Sequence, residues 1–214
     1  MRAKFVLLLP VFLTAALVLR AQPKWDMGFQ GGPLFSTMFG FSNTSLMKLS
    51  GQGGFVFTRR DAHKNHLQLE VNVVRKGAWR KPEADNPDKI NLSLYYVETP
   101  LMYRYDNLKL SRKGRGGFHI GLSYARLVSP QLRRNGVSQD FNPIWSDKYD
   151  LSMLGGIHVV YYNHLKVGTR VTYSINPILR RNILPGEIEN FNSQATHNLT
   201  VQFSVAWMIR GLYY

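Results

Sequence analysis

The sequence predicts an all-β fold, a single antiparallel up-and-down transmembrane β-barrel of eight strands. Three observations indicate this fold class. Apolar and polar residues alternate with a period of two in segment after segment, the connections between these segments are long and short in turn, and a short apolar leader precedes them all. A period of two belongs to strands and not to helices. An even number of strands with long loops at one end and short turns at the other is typical of bacterial outer-membrane barrels.

The composition of the 214-residue chain excludes several classes of protein. It contains no cysteine, which excludes a disulfide scaffold, a thiolate metal site and a cysteine nucleophile. The formal net charge is +14, yet only 19% of the residues are charged and 13% are aromatic. A basic chain that is rich in aromatic residues and poor in charges either binds nucleic acid or faces lipid, and the N-terminus favours lipid.

The first residues have the layout of a secretory signal peptide. A basic start at residues 1–4 is followed by an apolar run at residues 5–19 and by a small residue, Ala21. The run is shorter than the ~20 apolar residues that a transmembrane helix needs. We therefore expect a signal peptide at residues 1–21, cleaved after Ala21, and a barrel domain at residues 22–214. A chain exported from the cytoplasm is not expected to bind nucleic acid.

The alternation predicts eight strands in order along the chain. They lie at residues 25–36, 51–58, 67–74, 90–104, 118–125, 149–162, 165–175 and 199–209. The last strand is the clearest, with its apolar residues on one face: Leu199, Val201, Phe203, Val205, Trp207 and Ile209. Its length matches the ~9–11 residues that a tilted strand needs to cross a bilayer.

Alternation by itself does not tell which face points inward. A soluble lipocalin-like barrel that binds a ligand has the same pattern with its apolar face inside. Three features favour apolar residues that face lipid. Aromatic residues cluster near the ends of the predicted strands, the chain ends in aromatic residues, and the face opposite the apolar one carries polar side chains in mid-strand: Glu70, His119, Lys166 and Arg170.

Several segments occur in the order found in a known family. They are residues 94–101, which read Leu-Tyr-Tyr-Val-Glu-Thr-Pro-Leu, the early glycines Gly28, Gly31 and Gly32, the segment 117–129, and the pair Gly155 and Gly156. In these features the chain resembles the PorT family of outer-membrane β-barrel proteins, in which the first of these segments reads Y-L-E-I-P-L. The resemblance implies an outer-membrane location in a Gram-negative bacterium. The founding member of that family serves protein secretion, a role that the resemblance does not carry over to this chain.

Four charged residues are candidates for a polar cluster in the lumen: Glu70, Glu98, Lys166 and Arg170. Side chains are able to fill the interior of an eight-stranded barrel. One interpretation is a plug of paired charges, and the other is a proton or ligand relay. Glu98 shares its parity with the apolar positions 90, 92, 94 and 96, so we expect either a bulge between them or a strand that starts outside the membrane. Pro100 predicts a bulge or a strand end, because proline cannot donate to the ladder.

Basic residues cluster in the connection at residues 104–116, which the strand order assigns to the periplasm. They are Arg104, Lys109, Arg112, Lys113 and Arg115, against the single carboxylate of Asp106. One interpretation of this excess of positive charge is contact with an acidic periplasmic protein partner. The other interpretation is a solvated turn without a partner.

At the opposite end, five arginines are predicted to contact the phosphates of lipopolysaccharide. They are Arg126, Arg133, Arg134, Arg180 and Arg181. The guanidinium fork fits the geometry of a phosphate, and an arginine at a strand end extends its head to the membrane surface. Outer-membrane lipid and lipopolysaccharide are therefore expected partners.

No catalytic residue, metal site or cofactor is expected. His63 and His66 have a metal-like spacing only if they lie on a helix. His119 and Ser123 share a strand face but lie roughly 13 Å apart at ~3.3 Å per residue, too far for a Ser–His hydrogen bond. We therefore expect a non-enzymatic membrane protein that acts as a scaffold, a binding protein or a secretion accessory. An embedded lipid-modifying hydrolase and the soluble ligand-binding barrel are the alternatives.

Overall fold

The computed structural model describes residues 24–39, 45–60, 64–80, 82, 87–139, 148–162, 164–178 and 196–210. The strands in these ranges are β1 Lys24–Phe39, β2 Ser45–Arg60, β3 Asn65–Arg80, β4 Ile90–Lys109, β5 Gly114–Arg134, β6 Val137–Gln139, β7 Tyr149–Tyr161, β8 Leu165–Ser174 and β9 His197–Arg210. Within the same ranges, no helix is long and apolar enough to cross a membrane. The predicted signal peptide lies outside the described residues.

Eight of these strands close into an antiparallel barrel. The order around the wall is β1, β2, β3, β4, β5, β7, β8, β9, and β9 returns to pair with β1. The short strand β6 pairs with β5 as a hairpin extension above the closed wall. The structure therefore confirms the eight-stranded up-and-down barrel. Closure pairs the edge strands, which a sheet in lipid requires.

The two ends of the barrel differ in the length of their connections. The turn end carries the short connections at residues 61–64, 110–113 and 162–164, with the start of β1 and the end of β9. The loop end carries the longer connections at residues 40–44, 81–89, 135–148 and 175–196. This alternation is the one that the sequence predicts.

Most strands are longer than the alternation indicates, and β4 and β5 are the longest of those described. β4 spans 20 residues and β5 spans 21, against the predicted segments 90–104 and 118–125. The two strands stay paired from Lys109 opposite Arg115 to Ile90 opposite Arg134. The hairpin continues past the alternating segment because backbone pairing does not require an apolar face outside lipid.

Apolar side chains face outward and polar side chains face inward along the middle of the wall. In β9, Phe203 is 47% exposed, whereas the neighbouring Gln202 is 1% exposed. The same holds in β3, where Val73 is 61% exposed and Asn72 is 1% exposed. A soluble barrel would bury the apolar face instead. The lipocalin-like alternative is therefore wrong.

No bulge in β4 separates its apolar residues from Glu98. Leu92, Leu94 and Tyr96 face inward on the same side as Glu98, with no change of parity between them. They belong to a buried apolar cluster at the loop end, together with Met38, Ala78, Ile90, Ala125, Leu132 and Ile178. The register shift lies on β5 instead, where Val128 is left between the partners of Tyr95 and Tyr96.

The expectation about Pro100 is wrong as well. Leu69 pairs with Leu101 and Asn72 pairs with Glu98, so one continuous register runs past the proline. Pro100 lies in the middle of β4 and is buried. The two ladder pairs between these positions are absent, which is the local cost of a residue without an N–H group.

Candidate functional site

An ion pair crosses the centre of the lumen. Glu70 lies on β3 and Arg170 on β8, and these strands face each other, because three strands separate them in either direction around the wall. Arg170 Nη2 lies 2.8 Å from Glu70 Oε2, and Lys166 Nζ lies 3.9 Å from Glu70 Oε1. Three of the four residues of the predicted lumen cluster therefore lie together.

Amide side chains surround this ion pair. Glu70 accepts hydrogen bonds from Gln30 at 2.6 Å, from Gln68 at 2.5 Å and from Asn72 at 2.9 Å. Arg170 Nε donates to Gln202 Oε1 at 2.5 Å. Gln68, Glu70 and Asn72 occur at every second residue, and this spacing brings all three to the inner face of one strand. The buried charges are thus hydrogen-bonded as well as paired, as buried ions require.

Glu98 belongs to a second cluster, nearer the loop end. Lys76 Nζ lies 3.2 Å from Glu98 Oε2 and 3.2 Å from Asp150 Oδ2, and all three side chains are at most 1% exposed. Ser123 Oγ donates to Glu98 Oε1 at 2.7 Å. Glu98 therefore lies apart from the other three residues of the predicted lumen cluster.

Lys76 and Asp150 are functional candidates that sequence reasoning missed. Ser152, Ser174 and Asn198 donate to Asp150 at 2.8, 2.7 and 3.1 Å. Lys76 follows the inward parity of Glu70 and Asn72, but the alternation predicts that its strand ends at residue 74. Extending the predicted strand by two residues would have placed Lys76 on the inner face.

A third cluster lies near the turn end and corrects the placement of Arg104. Arg104 does not belong to the exposed turn: it is 7% exposed, and its Nε and Nη2 both donate to Asp106 at 3.0 Å. His158 Nε2 lies 2.7 Å from Asp106 Oδ1, and His66 Nε2 lies 3.3 Å from Asp106 Oδ2. Arg104 has the inward parity of β4, so it neutralises a buried carboxylate and does not face a partner.

The other basic residues of this segment are exposed at the turn end. They are Lys109, Arg112, Lys113 and Arg115. Lys113 lies over the ring of Tyr162 in the neighbouring turn, with 4.7 Å from Nζ to the ring centroid. The two carboxylates described at this end, Asp26 and Asp106, are each 7% exposed. A small pocket of about 70 Å³ opens between Asp26, Asp106 and Arg115.

The arginines at the loop end differ from one another. Arg126 and Arg133 are exposed. Arg134 forms an ion pair with Asp88 through Nε, at 2.7 Å, and through Nη2. Arg180 and Arg181 lie outside the described residues.

The residues considered for catalysis or metal binding have other contacts. Ser123 donates to Glu98, and His119 Nδ1 lies 3.3 Å from His158 Nδ1. His66 contacts Asp106, and His63 lies outside the described residues. In the part of the chain that the structure describes, no group of three histidine or acidic side chains is placed to hold a metal ion.

Comparisons with known proteins point to the same architecture. The family model described as "Outer membrane protein beta-barrel domain" matches residues 20–180. The chain is similar to the outer membrane protein OprG from Pseudomonas aeruginosa, with a TM-score of 0.55, 14% identity, and 89% of this chain and 98% of that chain covered. At this identity the likeness shows the fold alone.

Two further solved structures resemble the chain more distantly. Outer Membrane Protein W of E. coli has a TM-score of 0.46 and 16% identity, with 87% of this chain and 98% of that chain covered. Neisserial surface protein A has a TM-score of 0.47 and 11% identity, with 85% and 96% covered. No curated protein sequence matches the chain.

Proposed function

The chain belongs to the outer membrane protein beta-barrel domain family, and from this premise we propose that it is a non-enzymatic, PorT-like outer-membrane protein that acts by binding at the ends of its barrel. Its signal peptide, residues 1–21, is removed after Ala21. The turn end faces the periplasm, where the basic turn binds an acidic protein, as a secretion accessory or a scaffold would. The loop end faces outward, where its arginines contact lipopolysaccharide.

The filled lumen is the observation that carries this proposal. Arg170 reaches across the barrel to Glu70, and Lys166 Nζ reaches the opposite strand at Gln68 Oε1, 3.0 Å away. Lys76 reaches from β3 to Asp150 on β7. Side chains that cross the interior of a barrel this narrow leave little room for a solute. If no solute passes through the lumen, the surfaces that remain for binding another molecule are the two ends of the barrel and its outer wall.

The charge distribution supports the turn end as the binding surface for a protein. Arg59, Lys64, Lys109, Arg112 and Arg115 are exposed there, whereas the described carboxylates are buried. Complementary charge accelerates encounter with an acidic partner and fixes its orientation. The contacts of Ser123 with Glu98 and of His119 with His158 support a non-enzymatic role, because neither side chain is positioned as half of a nucleophile–base pair.

Site-specific crosslinking in cells tests this proposal. A photo-crosslinking amino acid at position 107, which is exposed beside the basic turn, is expected to capture a periplasmic protein. Lys109→Glu with Arg112→Glu is expected to lower that yield about tenfold, since each exposed charge contributes ~0.2–1 kcal/mol and its reversal adds repulsion.

The matched control reverses two exposed lysines at the loop end, Lys89→Glu with Lys148→Glu. This variant changes the net charge by the same amount and is expected to leave the crosslinked product unchanged. The proposal fails if the turn variant captures the same protein equally well, or if position 107 crosslinks to lipid alone.

A further inference from the structure

The side chain of Lys48 crosses a neighbouring strand. Lys48 lies on β2, and β3 separates that strand from β4. Even so, Lys48 Nζ donates to three oxygens of β4: Asn91 Oδ1 at 2.5 Å, the Leu92 carbonyl at 2.8 Å and Ser93 Oγ at 2.6 Å. The crossing occurs at Gly77, which pairs with Ser93 and has no side chain to obstruct it.

The crossing lies on the outer wall of the barrel. Arg75 Nη2 donates to the same Ser93 hydroxyl, at 3.1 Å, so the heads of Lys48 and Arg75 share one face. Arg75 has the parity of Val73, which is 61% exposed on the outer surface. The ladder between β2 and β3 is interrupted from Met47 to Gln52, which frees this part of β2 to send a side chain across.

A third cation completes the group. Arg133 on β5 is exposed and lies opposite Asn91 of β4, whose Oδ1 accepts a hydrogen bond from Lys48. Arg75 shares the Ser93 hydroxyl with Lys48, and Arg133 lies opposite the asparagine that Lys48 contacts. We name Lys48, Arg75 and Arg133 the wall cluster. Among the described residues, no carboxylate contacts any of the three, and Asp88 is paired with Arg134 instead.

The three cations of the wall cluster differ in the hydrogen-bond donors that they offer. Lys48 uses its three N–H groups on β4 and serves as a fixed positive charge. Arg75 Nε is buried and has no hydrogen-bond partner among the described residues. Arg133 is exposed and Arg75 is partly exposed, so the ends of both guanidinium groups are open to a ligand. Several arginine N–H groups beside a lysine suit a phosphate.

The surface beneath the cluster is apolar. Val73 and Val97 pair with each other one step closer to the turn end, and they are 61% and 39% exposed. The ring of Tyr95 lies under the Arg75 guanidinium, 5.5 Å from Cζ to the centroid. The wall cluster thus lies toward the loop end, with an aromatic ring and an apolar surface on its turn-end side. This arrangement fits a molecule with an anionic head group and acyl chains.

We propose that the wall cluster of Lys48, Arg75 and Arg133 binds the phosphate of a membrane lipid, whose acyl chains lie along Val73 and Val97. The inference deepens the proposed contact of the loop end with outer-leaflet lipid, and rests on that orientation for the leaflet. It moves the principal contact from the extended loops to the wall itself. Lys48 holds the charge in place, and the two arginines donate to the phosphate oxygens.

Lipid titration of the detergent-solubilised barrel, followed by native mass spectrometry, tests the site. The probes are dioleoyl phosphatidic acid, dioleoylglycerol and inorganic phosphate. Arg75→Gln with Arg133→Gln is expected to weaken phosphatidic acid binding at least about tenfold, which corresponds to 1.4 kcal/mol. Arg75→Lys, which keeps the charge but loses the fork, is expected to have an intermediate affinity.

The matched control is Lys109→Gln with Arg115→Gln, which removes the same charge at the turn end and is expected to keep full affinity. Gel mobility before and after boiling verifies that each variant is a folded barrel. Equal binding by the wall variant overturns the inference. So does equal binding of dioleoylglycerol, or displacement of the lipid by inorganic phosphate at the same concentration.

Failure of this inference is distinguishable from failure of the proposed function. The wall variant leaves the turn end intact, so capture of a periplasmic protein at position 107 is expected to persist in it. Loss of lipid binding with capture retained supports both proposals. Capture retained with lipid binding unaffected overturns only the wall site.

Discussion

At the scale of single residues, Lys76 has the most demanding environment in the lumen. It is 0% exposed and lies between two carboxylates, Glu98 and Asp150, that are also 0% exposed. Its ring neighbour Tyr96 adds a cation–π contact, with 5.3 Å from Nζ to the centroid. Serine and asparagine donors satisfy the carboxylates further. The cluster therefore holds one ammonium group against two acids, and removal of the cation leaves both acids without a counterion.

Lys76→Met is expected to destabilise the barrel by about 3–5 kcal/mol, because breaking a buried ion pair strands a buried charge. Urea unfolding in lipid vesicles, followed by tryptophan fluorescence, measures this loss. Lys109→Met, at an exposed site of the turn end, is the matched control and is expected to change stability by less than ~0.5 kcal/mol. Equal stability of the two variants would show that the Lys76 cluster is not a buried ion network.

At the scale of elements, the two adjacent glycines of β7 differ in how much space surrounds them. An added Cβ at Gly156 would lie 2.2 Å from the Thr169 carbonyl oxygen and 2.7 Å from Arg170 Cβ. At Gly155, the nearest atom to an added Cβ is the His119 carbonyl oxygen, at 3.9 Å. Gly156 therefore allows β7 and β8 to approach beside the central ion pair, whereas Gly155 meets no such restriction.

Gly156→Ala is expected to destabilise the barrel by ~1–3 kcal/mol, as overpacking does, or to prevent closure between β7 and β8. Gly155→Ala is expected to be tolerated. The fraction of protein that shifts in gel mobility on boiling, measured after refolding into vesicles, reports closure. A Gly156→Ala variant that refolds as completely as Gly155→Ala would contradict the close approach of the two strands.

At the scale of the whole molecule, three polar clusters are stacked along the lumen. From the turn end to the loop end, they are centred on Asp106, on Glu70 and on Glu98. The apolar cluster of Leu92, Leu94 and Tyr96 closes the loop end above them. The outer face is apolar throughout the middle of the wall. The barrel is thus a filled cylinder in lipid, with its buried charges paired inside.

Planar-bilayer recording is expected to show no stepwise current for the unmodified barrel. Glu70→Ala with Arg170→Ala removes both partners of the central pair, so no buried charge of that pair is stranded, and leak events are expected to appear. Lys109→Ala with Arg112→Ala, at two exposed positions of the turn end, is the control without an effect on the lumen. Porin-like steps from the unmodified protein would contradict the filled lumen.

The sequence by itself determined the number of wall strands, their up-and-down order and which residues of β3, β8 and β9 share a face. These features are local, because a period of two assigns each side chain to one face wherever the strand is regular. The same rule puts Glu70, Lys166 and Arg170 on the face opposite the apolar one, and the aromatic strand ends indicated that this polar face is the inner one. The rule was insufficient in β4, where apolar side chains fill the lumen, and at Lys76, where the alternation fades before the strand ends.

Only the tertiary structure decided which residues meet across the lumen and across the wall. Glu70 meets Arg170 because β3 and β8 are opposite each other, whereas Glu98 meets Lys76 and Asp150. Arg104 is buried against Asp106, and Lys48 crosses β3 at Gly77. These contacts depend on how the strands are staggered when the sheet closes. That stagger is a property of the entire closed sheet, so no single segment of the sequence contains it.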